Sequence, residues 1–311
     1  MSQPFDGARL GLLGAPTSMA SFAPGQEKTP RALRDAGLLD ALTSAGIEVV
    51  DHGDLPLRRW VPDRTSPRAQ NVEAVVEDVT GVRDRIGQVI GAGERHLVLG
   101  GNCSIEIGVV AGYLSAGFGR LGVVYADLHT DLNTPQTTDE GALDWMVTAH
   151  MLDVPGAVDA LASVGPRRPL LQSGDLAYWG VNVKGITPGE RAAVVDLGLR
   201  VVDTTDAIAD PAGSMSSILD GWAEEYDAVL VHLDVDLINF MELPLSEEIT
   251  RVGGMPLAAV AEGVRTALRA GNAAGLTVTE ANPDHDPDGS AVKDLVATIT
   301  TVLAPNPVNR D

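Results

Sequence analysis

The sequence predicts an α/β protein, a three-layer αβα sandwich around an eight-stranded parallel sheet. Three observations carry this. Eight short apolar runs recur along the 311 residues, each closed by turn residues. They are rich in Val, Ile and Leu without strict alternation, as parallel strands covered on both faces are. Helix-forming stretches fall between them, and regular alternation of strand and helix implies right-handed crossovers into one sheet.

In chain order the predicted strands are Leu10 to Leu13, Ile47 to Val50, His96 to Leu99, Leu121 to Tyr125, Leu176 to Val181, Leu199 to Val202, Ala228 to Leu233 and Leu276 to Thr279. Thr29-Pro30 opens the first helix, with Thr as cap and Pro in the first turn, and the helix runs on through Arg31-Ala-Leu-Arg-Asp-Ala-Gly-Leu-Leu-Asp-Ala-Leu42. Further helices are predicted at Asn71 to Ile90, Ser104 to Leu114, Gly189 to Val195, Ser214 to Glu225, Leu257 to Ala270 and Ser290 to Leu303. Asp54 to Arg68, with three prolines and four arginines, reads as an exposed loop because the alternation resumes beyond it. With no repeat, low-complexity tract or boundary, residues 1–311 are expected to form a single domain.

A hydrophobic content of 44% and a mean hydropathy of +0.08 are ordinary for a globular protein. No apolar run approaches the roughly 18 residues of a membrane span. Met-Ser-Gln-Pro-Phe-Asp-Gly lacks the basic-then-apolar order of a signal peptide, so a cytoplasmic protein is expected. A net charge of -21 argues against nucleic acid or an anionic membrane as partner, since lysine and arginine drive both kinds of binding. It suits a cationic ligand. The only cysteine, Cys103, excludes a disulfide within the chain.

Chemistry enters where two strands run out. Asp127, His129 and Asp131 occupy alternate positions after Gly122-Val-Val-Tyr-Ala, and Asp234 and Asp236 do the same after Ala228-Val-Leu-Val-His-Leu. Residues at i, i+2 and i+4 share one face of extended chain, and ligands of open parallel sheets sit beyond the carboxyl ends of the strands. Five ligands from two strands describe a divalent-metal site. Carboxylates and imidazole without cysteine pairs suit Mn²⁺, Mg²⁺ or another first-row ion better than structural zinc. The competing reading of either spacing alone is a solvated polar strand end.

Four motifs, in order, resemble the ureohydrolase family of arginase, agmatinase and their relatives. They are Gly11-Leu-Leu-Gly-Ala-Pro-Thr17 with Pro24-Gly-Gln-Glu-Lys-Thr-Pro-Arg-Ala-Leu-Arg34, then Asp127-Leu-His-Thr-Asp-Leu-Asn-Thr-Pro135, His232-Leu-Asp-Val-Asp236 and Glu280-Ala-Asn-Pro283. The resemblance implies two divalent ions, Mn²⁺ in the family, and hydrolysis at a guanidinium carbon with release of urea or a related fragment. Asp127 and Asp234 would bridge the ions, with His129, Asp131 and Asp236 completing them. Glu280 would pair with the substrate guanidinium, planar fork against planar acceptor. Asp131, Asp144 and Glu280 are the expected catalytic residues, and Asn133, Glu140 and Glu280 the expected substrate contacts. A homo-oligomer, trimer or hexamer, is the family habit.

The sequence also departs from the pattern. Gly100-Gly-Asn-Cys-Ser104 stands where the family has Gly-Gly-Asp-His-Ser, so Cys103 replaces a histidine ligand and Asn102 an aspartate. A thiolate ligand adds charge and softness, shifting preference toward iron, cobalt or zinc, while the neighbouring Asn removes a charge in compensation. The other reading of Cys103 is a small buried core residue. Asp144 aligns with the family's proton-shuttling histidine, with His150 as a second candidate. Thr187 stands where arginases grip the substrate's α-amino group, and the acidic loop Asn239 to Glu248 is rebuilt. The substrate is therefore expected to be a small cationic guanidine or amidine rather than free arginine. The alternative is a non-catalytic relative that keeps the fold as a binding or regulatory protein; amide hydrolysis on the same fold class is a third reading.

Overall fold

The computed structural model describes residues 9–248 and 253–305. All eight expected strands form: β1 (Leu10–Ala15), β2 (Val49–Asp54), β3 (Arg95–Gly100), β4 (Leu121–Ala126), β5 (Leu176–Val181), β6 (Arg200–Asp203), β7 (Ala228–Asp234) and β8 (Ala273–Thr279). They make one parallel sheet in the order β2-β1-β3-β8-β7-β4-β5-β6. The four central strands are therefore β3, β8, β7 and β4. Their carboxyl ends open on one edge.

The helices are α1 (Thr29–Asp35), α2 (Leu38–Ser44), α3 (Val72–Gly91), α4 (Ile105–Ser115), α5 (Val147–Met151), α6 (Asp159–Ala162), α7 (Pro188–Leu197), α8 (Thr204–Ala209), α9 (Pro211–Leu219), α10 (Trp222–Glu225), α11 (Leu257–Leu268) and α12 (Ser290–Leu303). Alternate strand residues feed two cores. Val229, Val231 and Leu233 of β7 pack with α9, α11 and α12, while Leu230 lies in the core formed with α3, α4 and α5. Helix α4 is buried from Ile105 to Leu114, Glu106 included. Among the described residues no helix is long and apolar enough to cross a membrane.

Two expected helices are each broken by a glycine. Gly37, at φ 90°, ends the first and starts α2, and Gly221, at φ 81°, separates α9 from α10. Both dihedrals lie in the left-handed region that side chains avoid. Short helices α5, α6 and α8 were not expected; α8 begins where the Asp203 carboxylate accepts the Thr205 N–H at 2.7 Å. The 54–68 stretch is irregular, as expected, but pinned. Arg58 bonds through its backbone to Pro16 and Ser18 at 2.9 and 3.0 Å, and its guanidinium pairs with Asp78 at 2.8 Å.

Candidate metal centre

The two acidic motifs converge, but by a turn rather than by strand periodicity. β4 stops at Ala126 and β7 at Asp234, so most of the ligand residues lie beyond the extended chain. The Asp127 carboxylate accepts the His129 N–H at 2.6 Å, and Asp234 accepts the Asp236 N–H at 2.7 Å. Each aspartate thus builds the Asx turn that folds its partner back toward it. Asp131 follows at φ 50°, a left-handed conformation held in place by the Tyr125 hydroxyl, which donates to Asp131 Oδ2 at 2.6 Å, and by Thr148 of α5, which donates to the Thr130 and Asp131 carbonyls.

The third contribution comes from β3. Gly101 lets the chain pass the loop after β1 so closely that a Cβ there would meet the Thr17 carbonyl at 1.8 Å. Cys103 follows, buried, with Sγ 3.2 Å from Asp234 Oδ2 and 3.3 Å from His232 Nε2. Asn102 turns away. Its side chain accepts from Ser104 N and Oγ at 3.2 and 2.5 Å and donates to the Thr17 carbonyl, so it shapes the turn.

Glu280 comes from the end of β8, again left-handed at φ 62°. Its Oε1 accepts the Cys103 N–H at 2.7 Å and its Oε2 accepts from Gln26 Nε2. Gln26 belongs to a loop that interlocks with the Glu280-Ala-Asn-Pro segment. The Thr29 hydroxyl donates to the Ala281 carbonyl, Lys28 pairs with Asp284, and Gly25, at φ 145°, leaves room for Asn282. Two motifs about 250 positions apart in sequence are one structural unit holding one carboxylate.

Cys103, His129, Asp131, Asp234, Asp236 and Glu280 line one cavity with Asn133, Asp144, Thr187 and Glu190, and Phe22, Trp145 and Glu248 toward its opening, while Asp127 is buried beside His129 and Asp236. Asn133 Oδ1 accepts from the Thr137 and Thr187 hydroxyls, each at 3.2 Å. Thr187 is also the cap of α7, and Glu190 of the same capping box accepts the Thr130 hydroxyl at 2.8 Å. Asp144 is buried with Oδ1 unpartnered. Glu140 stays outside. It is exposed on an adjoining groove because Gln70 N–H holds the Gly141 carbonyl at 2.9 Å and Arg68 pairs with Asp139. His150 is fully buried on α5 and does not line the cavity.

Electrostatically the cavity is dominated by buried carboxylates. Burial, then the neighbouring carboxylates, push Asp131, Asp234 and Glu280 well above the ordinary carboxylate range, and Asp127 up to about 6. Burial likewise raises Asp144 and Cys103. Burial opposes a charged His129, but Asp236 at 2.9 Å and Asp127 outweigh it and hold its pKa well above the usual value. Asp127 Oδ2 and Asp236 Oδ1 are buried with no hydrogen-bond partner. Among the described residues three sets of ligand atoms lie within 4.8 Å of one another: Asp127, His129 and Asp236; Cys103, Asp234 and Glu280; Cys103, Asp127 and His232. Orphaned carboxylate oxygens beside imidazole and thiol fit divalent ions.

Fold and cluster together define an α/β protein with a metal-ligand set at the carboxyl edge of its sheet. The chain belongs to the arginase family, whose model matches residues 8–304. It is 27% identical over 302 residues to arginase-1 of Homo sapiens, covering 95% of this chain and 90% of that protein. Its fold is that of the arginase from Bacillus caldovelox, at TM-score 0.84 and 24% identity over 96% of this chain and 99% of that one. The formimidoylglutamase of Bacillus subtilis is similar at TM-score 0.75 and 17% identity, covering 95% and 86%.

The sequence reading did not anticipate Gln26, Glu106, Glu190 or His232. Gln26 and His232 lie in motifs already singled out, so only their contacts were missing. His232 had a signal: it stands two residues before Asp234, on the same strand face.

Proposed function

We propose that the protein is a metal-dependent hydrolase of a guanidino or amidino C–N bond whose substrate is not free arginine. The observation that carries this is Glu280, a buried carboxylate fixed by Gln26 and the Cys103 N–H, facing the same cavity as His129, Asp131, Asp234 and Asp236, with Asp127 buried beside His129 and Asp236. Divalent ions held by these ligands supply Lewis acidity and make water a competent nucleophile near neutral pH.

The chain's own groups do the rest. Each Glu280 oxygen keeps a lone pair beyond its present bond and accepts one N–H of the planar cation, which fixes the carbon to be attacked. Asp144, its pKa raised by burial, holds a proton on its unpartnered side and delivers it to the departing nitrogen. Asn133, Thr187 and Glu190 form one wall and Phe22 and Trp145 the rim, leaving the discrimination of the far end to groups unlike an α-amino-acid grip. Cys103 in place of a histidine favours the non-catalytic alternative, but that reading gives no reason for Glu280 and Asp144 to face the ligand set together.

The test is amine or urea release from a panel of guanidines and amidines by protein loaded with Mn²⁺, Co²⁺ or Zn²⁺. Turnover of at least one member, faster than arginine, is expected. A metal-loaded protein inert toward the whole panel would sink the proposal.

A further inference from the structure

We infer that His232 is itself a metal ligand, and that with Cys103, Asp127 and Asp234 it forms a mixed thiolate, imidazole and carboxylate ion site one layer deeper than the pair His129 and Asp236. The inference rests on the metal-dependent reading above. It adds a residue which the motif spacing did not assign.

The geometry starts from the sheet order. β8 lies between β3 and β7, so Cys103 beyond β3 and His232 on β7 meet over Thr279 of β8. Cys103 Sγ is 3.3 Å from His232 Nε2 and 3.2 Å from Asp234 Oδ2. Two ligand atoms about 2.0–2.3 Å from one tetrahedral ion stand roughly 3.5 Å apart, so these separations are those of atoms converging on an ion. Asp127, whose buried Oδ2 has no partner, completes a group within 4.8 Å with Cys103 and His232.

The orientation of the ring agrees. His232 is fully buried and stacks on Tyr125, ring centroids 4.1 Å apart and planes 4° from parallel. On its far side Nδ1 lies 3.4 Å from Glu106 Oε2. Glu106 is a fully buried carboxylate on a helix otherwise made of apolar residues and glycine through Tyr113, and its Oε1 meets no hydrogen-bond partner. As acceptor it fixes the proton on Nδ1 and leaves the Nε2 lone pair facing Cys103 and the Thr279 hydroxyl, each at 3.3 Å, with Asp127 within 4.8 Å. A carboxylate behind an imidazole is the arrangement that orients metal-ligating histidines. The segment after β3 thus offers a thiol in place of an imidazole, and β7, on the other side of β8, supplies an imidazole. Sulfur, nitrogen and oxygen together select zinc, cobalt or iron over manganese.

The test uses the full chain. X-ray absorption of the zinc-loaded wild type should show sulfur at about 2.3 Å and imidazole scattering from both His129 and His232. With cobalt, a sulfur-to-metal charge-transfer band is expected in the near ultraviolet. It should vanish in Cys103→Ser, and in His232→Asn it should be lost together with one of two bound ions. Glu106→Gln should weaken binding at this position about 10- to 100-fold and leave the His129 side unchanged. Bound metal with one imidazole and no sulfur would overturn this inference alone, even if His232→Asn failed to fold. So would an unchanged band and affinity in His232→Asn. A wild type that binds no divalent ion would overturn both this inference and the proposed function.

Discussion

Replacing Glu280 by glutamine separates the two roles its position allows. The carboxylate lies beside Cys103 and Asp234 as a third ligand would, yet both its oxygens already accept hydrogen bonds, from the Cys103 N–H and from Gln26. If it pairs with the substrate cation, Glu280→Gln removes one half of a buried charge pair. That costs about 2–5 kcal/mol, or about 30-fold to several thousand-fold in kcat/KM. Folding should survive. The amide oxygen can still accept from Cys103, and Gln26, whose own Oε1 is unpartnered, can flip to accept from the new NH₂. Removing one negative charge from a crowded carboxylate cluster also relieves repulsion in the metal-free protein. Kinetics on the best substrate of the panel, metal content by mass spectrometry and thermal unfolding read the three effects apart. Full activity in the variant would remove the cation pairing, and loss of metal at normal stability would make Glu280 a ligand.

The remaining predictions address the metal, the substrate and the core. Cys103→His should bind Mn²⁺ more tightly, because imidazole suits that ion better than thiolate; unchanged Mn²⁺ affinity by competition titration would leave the thiol as packing only. Arginine should be a poor substrate, with kcat/KM below that of guanidines or amidines lacking the α-amino-acid end; efficient urea release from arginine would contradict this. Two buried histidines should work against the fold in acid, while the raised carboxylates of the cavity work the other way. Burial lowers His150 from 6.5 to about 4 and His96 to about 3, so the unfolded chain takes up protons first as pH falls. Their stability is fully present above pH 6.5 and drains away toward pH 4, about 3 kcal/mol of it through His150. His150→Leu should gain Tm relative to the wild type as pH falls from 6.5 to 4, because it removes a buried group that must otherwise take up a proton; an unchanged difference across that range would exonerate His150.

The sheet was legible because buried parallel strands are written as continuous apolar runs, and all eight of those runs became strands. Helix limits were less so. Gly37 and Gly221 sit inside good helical patterns, and only the tertiary path of the chain decides that they turn left-handed. Among site residues, Asp127, His129, Asp131, Asp234 and Asp236 announced themselves by spacing, although the turn that brings them together was not the extended chain assumed. Glu140 lies on the adjoining groove for a local reason, the backbone bond of Gly141 to Gln70, which no motif encodes. Glu106 and His232 were hidden differently. A glutamate in an apolar helix and a histidine in an apolar strand acquire meaning only when α4 packs against β7.

Every chemical step proposed here depends on a divalent ion reaching the carboxyl ends of β3, β4, β7 and β8. The most direct test is anomalous diffraction from crystals of the protein soaked in Mn²⁺, Co²⁺ or Zn²⁺. At least one strong peak is predicted among Asp127, His129, Asp131, Asp234 and Asp236, with metal–oxygen and metal–nitrogen distances of roughly 2.0–2.2 Å for zinc. A cavity with no peak from any of the three metals, its carboxylates left protonated or paired with His129 alone, would contradict the account.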